Sequence, residues 1–162
     1  MNSNYQAIVA TPAFSLGIRS TADEIAGLHY LTPRREQAPQ NALAAEAVRQ
    51  VRAWIGDRAF EFALPLQPHG TPFQRRVRDA ISRIPFGRVL TYGEVAGQIR
   101  SGPRAVGGAC GANPFPLIIP CHRVVSASGL GGFGGVGDDD APMDFLLGVK
   151  RWLLAREGHA GY

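Results

Sequence analysis

Two threonine-led helix starts constrain this chain more than any other feature in it. Thr71-Pro72-Phe73-Gln74 puts a hydroxyl at an N-cap, proline at the first helical position and glutamine three residues after the cap. Together these satisfy the free N–H groups of a helix start. Phe73, Val77, Ala80, Ile81 and Ile84 then form one apolar stripe that stops at Pro85, which predicts a helix from Pro72. Thr91-Tyr92-Gly93-Glu94 repeats the box and opens a second helix carrying Val95, Ala96 and Ile99. After Ser101-Gly102-Pro103 a third helix runs to about Ala112, where Asn113-Pro114 stops it. The last two helices, joined by a tight glycine-containing turn, form a helix-turn-helix pattern.

The third helix is rich in glycine and alanine: Arg104-Ala105-Val106-Gly107-Gly108-Ala109-Cys110-Gly111. Glycine costs about 1 kcal/mol per position relative to alanine in a helix, so the segment is poor as a free-standing helix. Small residues let a backbone come close to another surface. That surface is either a neighbouring helix or an external partner, and composition does not choose between them. Charge leans toward the second. Residues 1–70 hold six Arg and six acidic residues, net zero, whereas residues 71–125 hold eight Arg against Asp79 and Glu94, net +6. A basic middle favours a polyanion, and Arg104 at the start of the glycine-rich helix is the side chain placed to reach it.

The first 68 residues read differently. Phe14, Leu16 and Ile18 alternate with Ser15 and Gly17, and Ile25–Leu31 follows an Asp23-Glu24 turn, which predicts paired strands. From Asn41 a helix carries Leu43, Ala47, Val51 and Trp54 on one face and ends at Gly56; Phe60, Phe62, Leu64 and Leu66 then alternate again. This is a small α+β unit without a chemical motif, read as scaffold. A boundary near Pro68 divides the chain into residues 1–68 and 69–162.

The chemistry concentrates at Pro120-Cys121-His122-Arg123-Val124, reached through Phe115-Pro116-Leu117-Ile118-Ile119, a run that reads as a buried strand. Free cysteine has a pKa of about 8.5, so a thiol nucleophile needs a neighbouring base or cation. His122 is adjacent, but neighbours on an extended chain face opposite ways, so a water or a local turn has to link the two. A buried inert cysteine is the competing reading. Beyond Val125 lie the glycine-rich stretch to Gly137 and the triplet Asp138-Asp139-Asp140; the glycines lack the Lys-Ser/Thr of a phosphate loop. A last helix carries Phe145, Val149, Trp152 and Leu153 and ends at Glu157-Gly158, with Glu157 either solvated or a buried partner for a base. Cys110 and Cys121 are expected to be reduced. No apolar run reaches membrane-span length, and a cytoplasmic location is the default expectation.

Gly70-Thr-Pro-Phe-Gln74, Thr91-Tyr-Gly93, Arg104-Ala-Val-Gly107, Asn113-Pro114, Ile119-Pro-Cys-His-Arg-Val-Val125 and Lys150-Arg-Trp-Leu-Leu154 with Glu157-Gly158 resemble the O6-alkylguanine-DNA alkyltransferases. The resemblance implies an α+β fold. Its N-terminal antiparallel sheet and helix would be ribonuclease H-like, and a mostly helical, winged-helix-like domain with the helix-turn-helix would follow. It implies repair of duplex DNA carrying O6-alkylguanine, or O4-alkylthymine, by irreversible transfer of the alkyl group to Cys121, once per molecule. In that scheme His122 is the base, acting through water, Glu157 orients it, and Asn113 supports the turn. Tyr92 assists the leaving base. Arg104, Ala105, Gly107 and Gly108 belong to the helix that enters the minor groove, with Arg104 filling the gap left by the flipped base. Tyr92, Pro116, Val124, Phe133, Gly134 and Gly135 line the pocket. No cofactor or metal is implied, and a monomer is expected. Arg78, standing where the family commonly has tryptophan, is expected to alter packing or touch a phosphate, and the acidic stretch is expected to turn away from DNA or act as a mobile rim. Two other readings remain: a sensor of damaged DNA that repairs nothing, against which Cys121 argues, and a cysteine hydrolase, which leaves the helix-turn-helix unexplained.

Overall fold

The computed structural model describes residues 4–162. β1 (Ala7–Ala10), β2 (Ser15–Ser20) and β3 (Ile25–Leu31) form an antiparallel sheet in that order, with Leu16 opposite Tyr30 and Ile18 opposite Leu28. β1 was not legible in the sequence, since four residues are too few for a period to register. α1 (Ala42–Gly56) packs on this sheet through Ala44, Ala47, Val48, Val51 and Trp54. Its N-cap is Asn41, whose side chain accepts from the Ala44 N–H at 2.7 Å.

The alternation from Phe60 to Leu66 does not make a strand. Only Leu66 pairs, in an isolated bridge with Ile25, and the remaining side chains lie half-buried along an extended connection. Alternation marks a half-buried extended segment; a strand also needs a partner, and β3 offers its edge only at Ile25.

The second half is helical. α2 (Pro72–Ser82) and α3 (Tyr92–Ile99) both start on complete capping boxes, and α4 (Pro103–Gly111) starts with proline in its first turn. Between α3 and α4 the chain turns through Arg100, held at φ 57°, a left-handed conformation that a non-glycine residue seldom adopts. β4 (Leu90–Thr91) and β5 (Val124–Val125) pair in parallel, and α5 (Met143–Arg156) closes the molecule.

One apolar core runs through both halves. Phe14 of β2 meets Trp152 of α5 edge-on at 5.8 Å between ring centroids, and Tyr30 of β3 stacks on Phe133 at 5.5 Å. The outer edge of β3 is covered by loops of the second half: Leu28 N–H donates to Pro114 O at 2.9 Å and Tyr30 N–H to Val136 O at 3.0 Å. Covering the edge removes a row of unpaired backbone groups, and it ties the N-terminal sheet to the loops that carry the site. No helix among the described residues is long and apolar enough to cross a membrane.

Candidate active site

Phe115–Ile119 is not the buried strand its composition predicts. Leu117 sits at φ 79°, and Ile119 N–H closes a turn onto Phe115 O at 2.8 Å. Pro120, at φ −79° and ψ 63°, makes an inverse γ-turn closed by Cys121 N–H to Ile119 O at 2.7 Å. Cys121–Arg123 then form one turn of 3₁₀ helix. Asn113 braces the loop from inside, donating to Ile119 O and accepting from Phe115 N–H, both at 3.0 Å. A local turn, rather than an extended chain, therefore sets the geometry of Cys121 and His122.

Cys121 lies at the wall of a cavity of about 460 Å³. α3 contributes Tyr92, α4 contributes Gly107, Cys110 and Gly111, and the loop Gly132–Val136 completes the lining. Loop and helix touch where a side chain would not fit. A Cβ on Gly135, itself at φ 84°, would stand 1.9 Å from Gly111 O. Phe133, Gly134 and Gly135 line the cavity. Pro116 and Val124 do not: Pro116 is buried in the turn it shares with Ile119, and Val124 is buried in its pairing with Leu90.

Behind the thiol the charges are tightly organised. His122 is buried, and its Nε2 lies 2.8 Å from Glu157 Oε2. Arg123 donates to both oxygens of the same carboxylate, at 2.8 and 3.1 Å, and Gly87 N–H adds a longer bond of 3.3 Å. Burial alone would raise the pKa of Glu157, but the His122 and Arg123 donors hold it at about 2. Burial lowers the pKa of His122 despite the pull of Glu157. The pair is therefore a neutral imidazole on a carboxylate anion. Since the carboxylate only accepts, the proton sits on Nε2. Nδ1 makes no hydrogen bond within the protein and is the nitrogen free to take a proton.

Burial pushes the Cys121 thiol above its ordinary value, opposed by Asn113 and by the charge of Lys150, so the resting group is a thiol. Burial raises Cys110 to about 12 and Tyr92 to about 12, so both keep their protons at neutral pH. The Tyr92 hydroxyl donates to Gly132 O over a long 3.3 Å.

Three participants were missed by sequence reasoning. Lys150 is fully buried, donates to Gly132 O at 2.8 Å and lies over the Phe133 ring at 5.5 Å. Desolvation lowers its pKa to about 8, against the upward pull of Cys121 and Cys110. Its signal was present: Leu146, Val149, Leu153 and Leu154 are the buried face of α5, and Lys150 falls on that face. Arg123 and Cys110, both present in the motifs, were given no role of their own.

Arg104, Ala105 and Gly108 are exposed on α4. Nothing within 4 Å would meet a Cβ added to Gly107 or Gly108, so internal packing does not call for glycine there. Arg78 is buried and donates to His69 O, which takes it away from any phosphate. Asp138 faces Arg34 at 3.8 Å, toward the N-terminal unit. Among the described residues no cluster of His, Cys, Asp and Glu is arranged to hold a metal.

Residues 72–159 match the family described as 6-O-methylguanine DNA methyltransferase, DNA binding domain. The chain belongs to the O6-methylguanine DNA methyltransferase family. Within that family, the methylated-DNA–protein-cysteine methyltransferase of Mycobacterium leprae is 47% identical over 100 residues, which are 60% of this chain and 61% of that protein. The regulatory protein ada of Salmonella typhimurium is 43% identical over 107 residues, 65% of this chain and 30% of that protein. The chain thus aligns with about three fifths of the first relative and about a third of the second. Among solved methyltransferases, the Mycobacterium tuberculosis OGT in complex with DNA superposes with a TM-score of 0.74 at 33% identity, covering 94% of this chain and 92% of that one.

Proposed function

We propose that this protein repairs DNA by moving the methyl or other alkyl group of O6-alkylguanine onto its own Cys121, once per molecule. The observation that carries the reading is a thiol opening on a base-sized cavity with a buried imidazole–carboxylate pair behind it. The family and its DNA-bound relative support duplex DNA as the partner.

The chemistry follows from the groups present. Cys121 passes its proton through water to His122 Nδ1, giving a thiolate beside an imidazolium whose other N–H is held by Glu157. The thiolate attacks the alkyl carbon in line, the carbon–O6 bond breaks, and its electron pair leaves with the guanine. Tyr92, protonated at neutral pH, donates a hydrogen bond to the departing base. Sulfur keeps the alkyl group as a thioether. A thioether is not cleaved by water, so the protein acts once.

Arg104 and the small residues Ala105, Gly107 and Gly108 form the face of α4 that lies in the minor groove, with Arg104 occupying the space of the flipped base. Residues 69–162 carry both the DNA contact and the acceptor, residues 1–68 are the scaffold, and the protein acts in the cytoplasm as a monomer.

Incubation with duplex DNA containing one O6-methylguanine, followed by intact-mass measurement, tests the reading. One methyl is expected on Cys121, saturating at one per molecule and absent from Cys121→Ala. Lesion-selective binding without a mass gain would make the protein a damage sensor. Release of more than one product per molecule would make it a hydrolase.

A further inference from the structure

Among the described residues five buried side-chain polar atoms have no hydrogen-bond partner: Arg19 Nε, Tyr30 Oη, Arg78 Nη1, His122 Nδ1 and Asp138 Oδ1. Two belong to the surroundings of Cys121. His122 Nδ1 is accounted for as the base. Tyr30 Oη is not, and an unpaired buried hydroxyl costs about 1–3 kcal/mol, so its retention calls for a reason.

Tyr30 is held rigidly. Its side chain is fully buried in β3, Phe14 packs edge-on at 5.0 Å, Phe133 of the cavity wall stacks on it at 5.5 Å, and its backbone N–H binds Val136 O. The ionisable groups that act on its phenol are Cys121 and Glu157. Glu157 already accepts from His122, Arg123 and Gly87 on its two oxygens, so it has little capacity for another donor. The thiol has that capacity. A buried water needs two to four polar partners, and the Tyr30 hydroxyl, the His122 nitrogen and the Cys121 thiol supply three.

We propose that Tyr30 is a positioning residue of the proton relay: its hydroxyl and His122 Nδ1 hold the water molecule through which Cys121 gives up its proton. The water oxygen accepts from the phenol and from the thiol while one water hydrogen points at Nδ1. As the S–H proton moves onto the water, the water's own proton moves onto Nδ1, leaving thiolate, imidazolium and an intact phenol and water. The N-terminal sheet thereby contributes one functional group to a site otherwise built from the second half. The inference rests on the alkyl-acceptor reading for its purpose, but not for its test.

Tyr30→Phe keeps the ring and removes only the hydroxyl. Carboxamidomethylation of Cys121 by iodoacetamide, followed by intact mass across pH, reads thiolate formation without DNA. The groups that face the sulfur, Lys150, His122, Asn113, Cys110 and Tyr92, are unchanged in the variant. The rising limb of the profile is expected to move up by about half a pH unit or more, because a hydrogen bond favouring the charged form is lost. Methyl transfer at neutral pH is expected to slow about fivefold to tenfold at unchanged lesion affinity, consistent with partial loss of general-base assistance. An unchanged profile and rate would make Tyr30 a packing residue and overturn the proposal. A wild-type protein that transfers no methyl would overturn the repair reading alone, with the iodoacetamide profile still deciding Tyr30.

Discussion

The two halves of this molecule bury their polar groups for opposite reasons. In the N-terminal sheet and α1, buried polar side chains are spent on the backbone: Gln50 bonds both the N–H and the O of Ala63, and Ser15 bonds both polar backbone atoms of Arg34. In the second half, His122, Arg123, Glu157 and Lys150 bury charge or ionisable nitrogen around a sulfur that is not itself charged at rest. Burying ionisable groups costs free energy, and a protein retains such an arrangement where its chemistry uses the shifted pKa values. The first half is built for stability and the second for reactivity. Asn113 and Arg78 of the second half also brace backbone, and Tyr30 is where the first half reaches the wall of the cavity.

Substitutions sharpen that comparison. The largest effect belongs to Glu157→Gln, which loses the anion that fixes the His122 tautomer and pairs Arg123; transfer is expected to slow roughly a hundredfold or more. The same variant should alter acid stability. A carboxylate held at about 2 in the folded protein contributes stability that is complete above its unfolded value near ~4.3 and is lost as pH falls toward about 2. Urea unfolding between those values should show this limb in the wild type and not in the variant.

Leu16→Ala, in the fully buried centre of the sheet, should cost about 3 kcal/mol of stability and leave the transfer rate per folded molecule unchanged. A changed rate at full folding would break the division between the halves.

Lys150→Met should slow transfer about tenfold by removing the cation that favours the Cys121 thiolate. Because the folded lysine titrates near about 8 and the unfolded one near 10.5, the unfolded chain binds more protons between those values. The lysine therefore adds a contribution that rises with pH across that window, so the stability of the wild type relative to the variant should increase as pH rises.

Arg104→Ala should have the smallest effect, a several-fold slower transfer on duplex DNA that disappears when the lesion lies opposite a gap. Equal slowing on both substrates would place Arg104 in simple phosphate binding.

Local interactions made much of the second half legible in advance. A capping box, a proline stop and a 3.6-residue stripe each involve residues within about a turn of one another, so Thr71, Thr91 and Pro114 mark their elements without tertiary context. The motif around Cys121 was legible as chemistry for the same reason, and its composition was misleading as structure. Phe115–Ile119 is apolar because the turn is buried, not because it is a strand.

What the sequence by itself determined is the order of helices, the basic middle, the helix-turn-helix and the placing of a thiol beside an imidazole in one motif. Only the tertiary structure decided which imidazole nitrogen is free, because that depends on a carboxylate 35 residues away. It also decided that Lys150 is buried against the Phe133 wall of the cavity and that Tyr30, on a strand far from the motif, packs on the same wall. Hydrogen bonds within a turn are set by neighbours along the chain. The protonation state of a buried group is set by the charges and the missing water around it, and long-range folding alone assembles those.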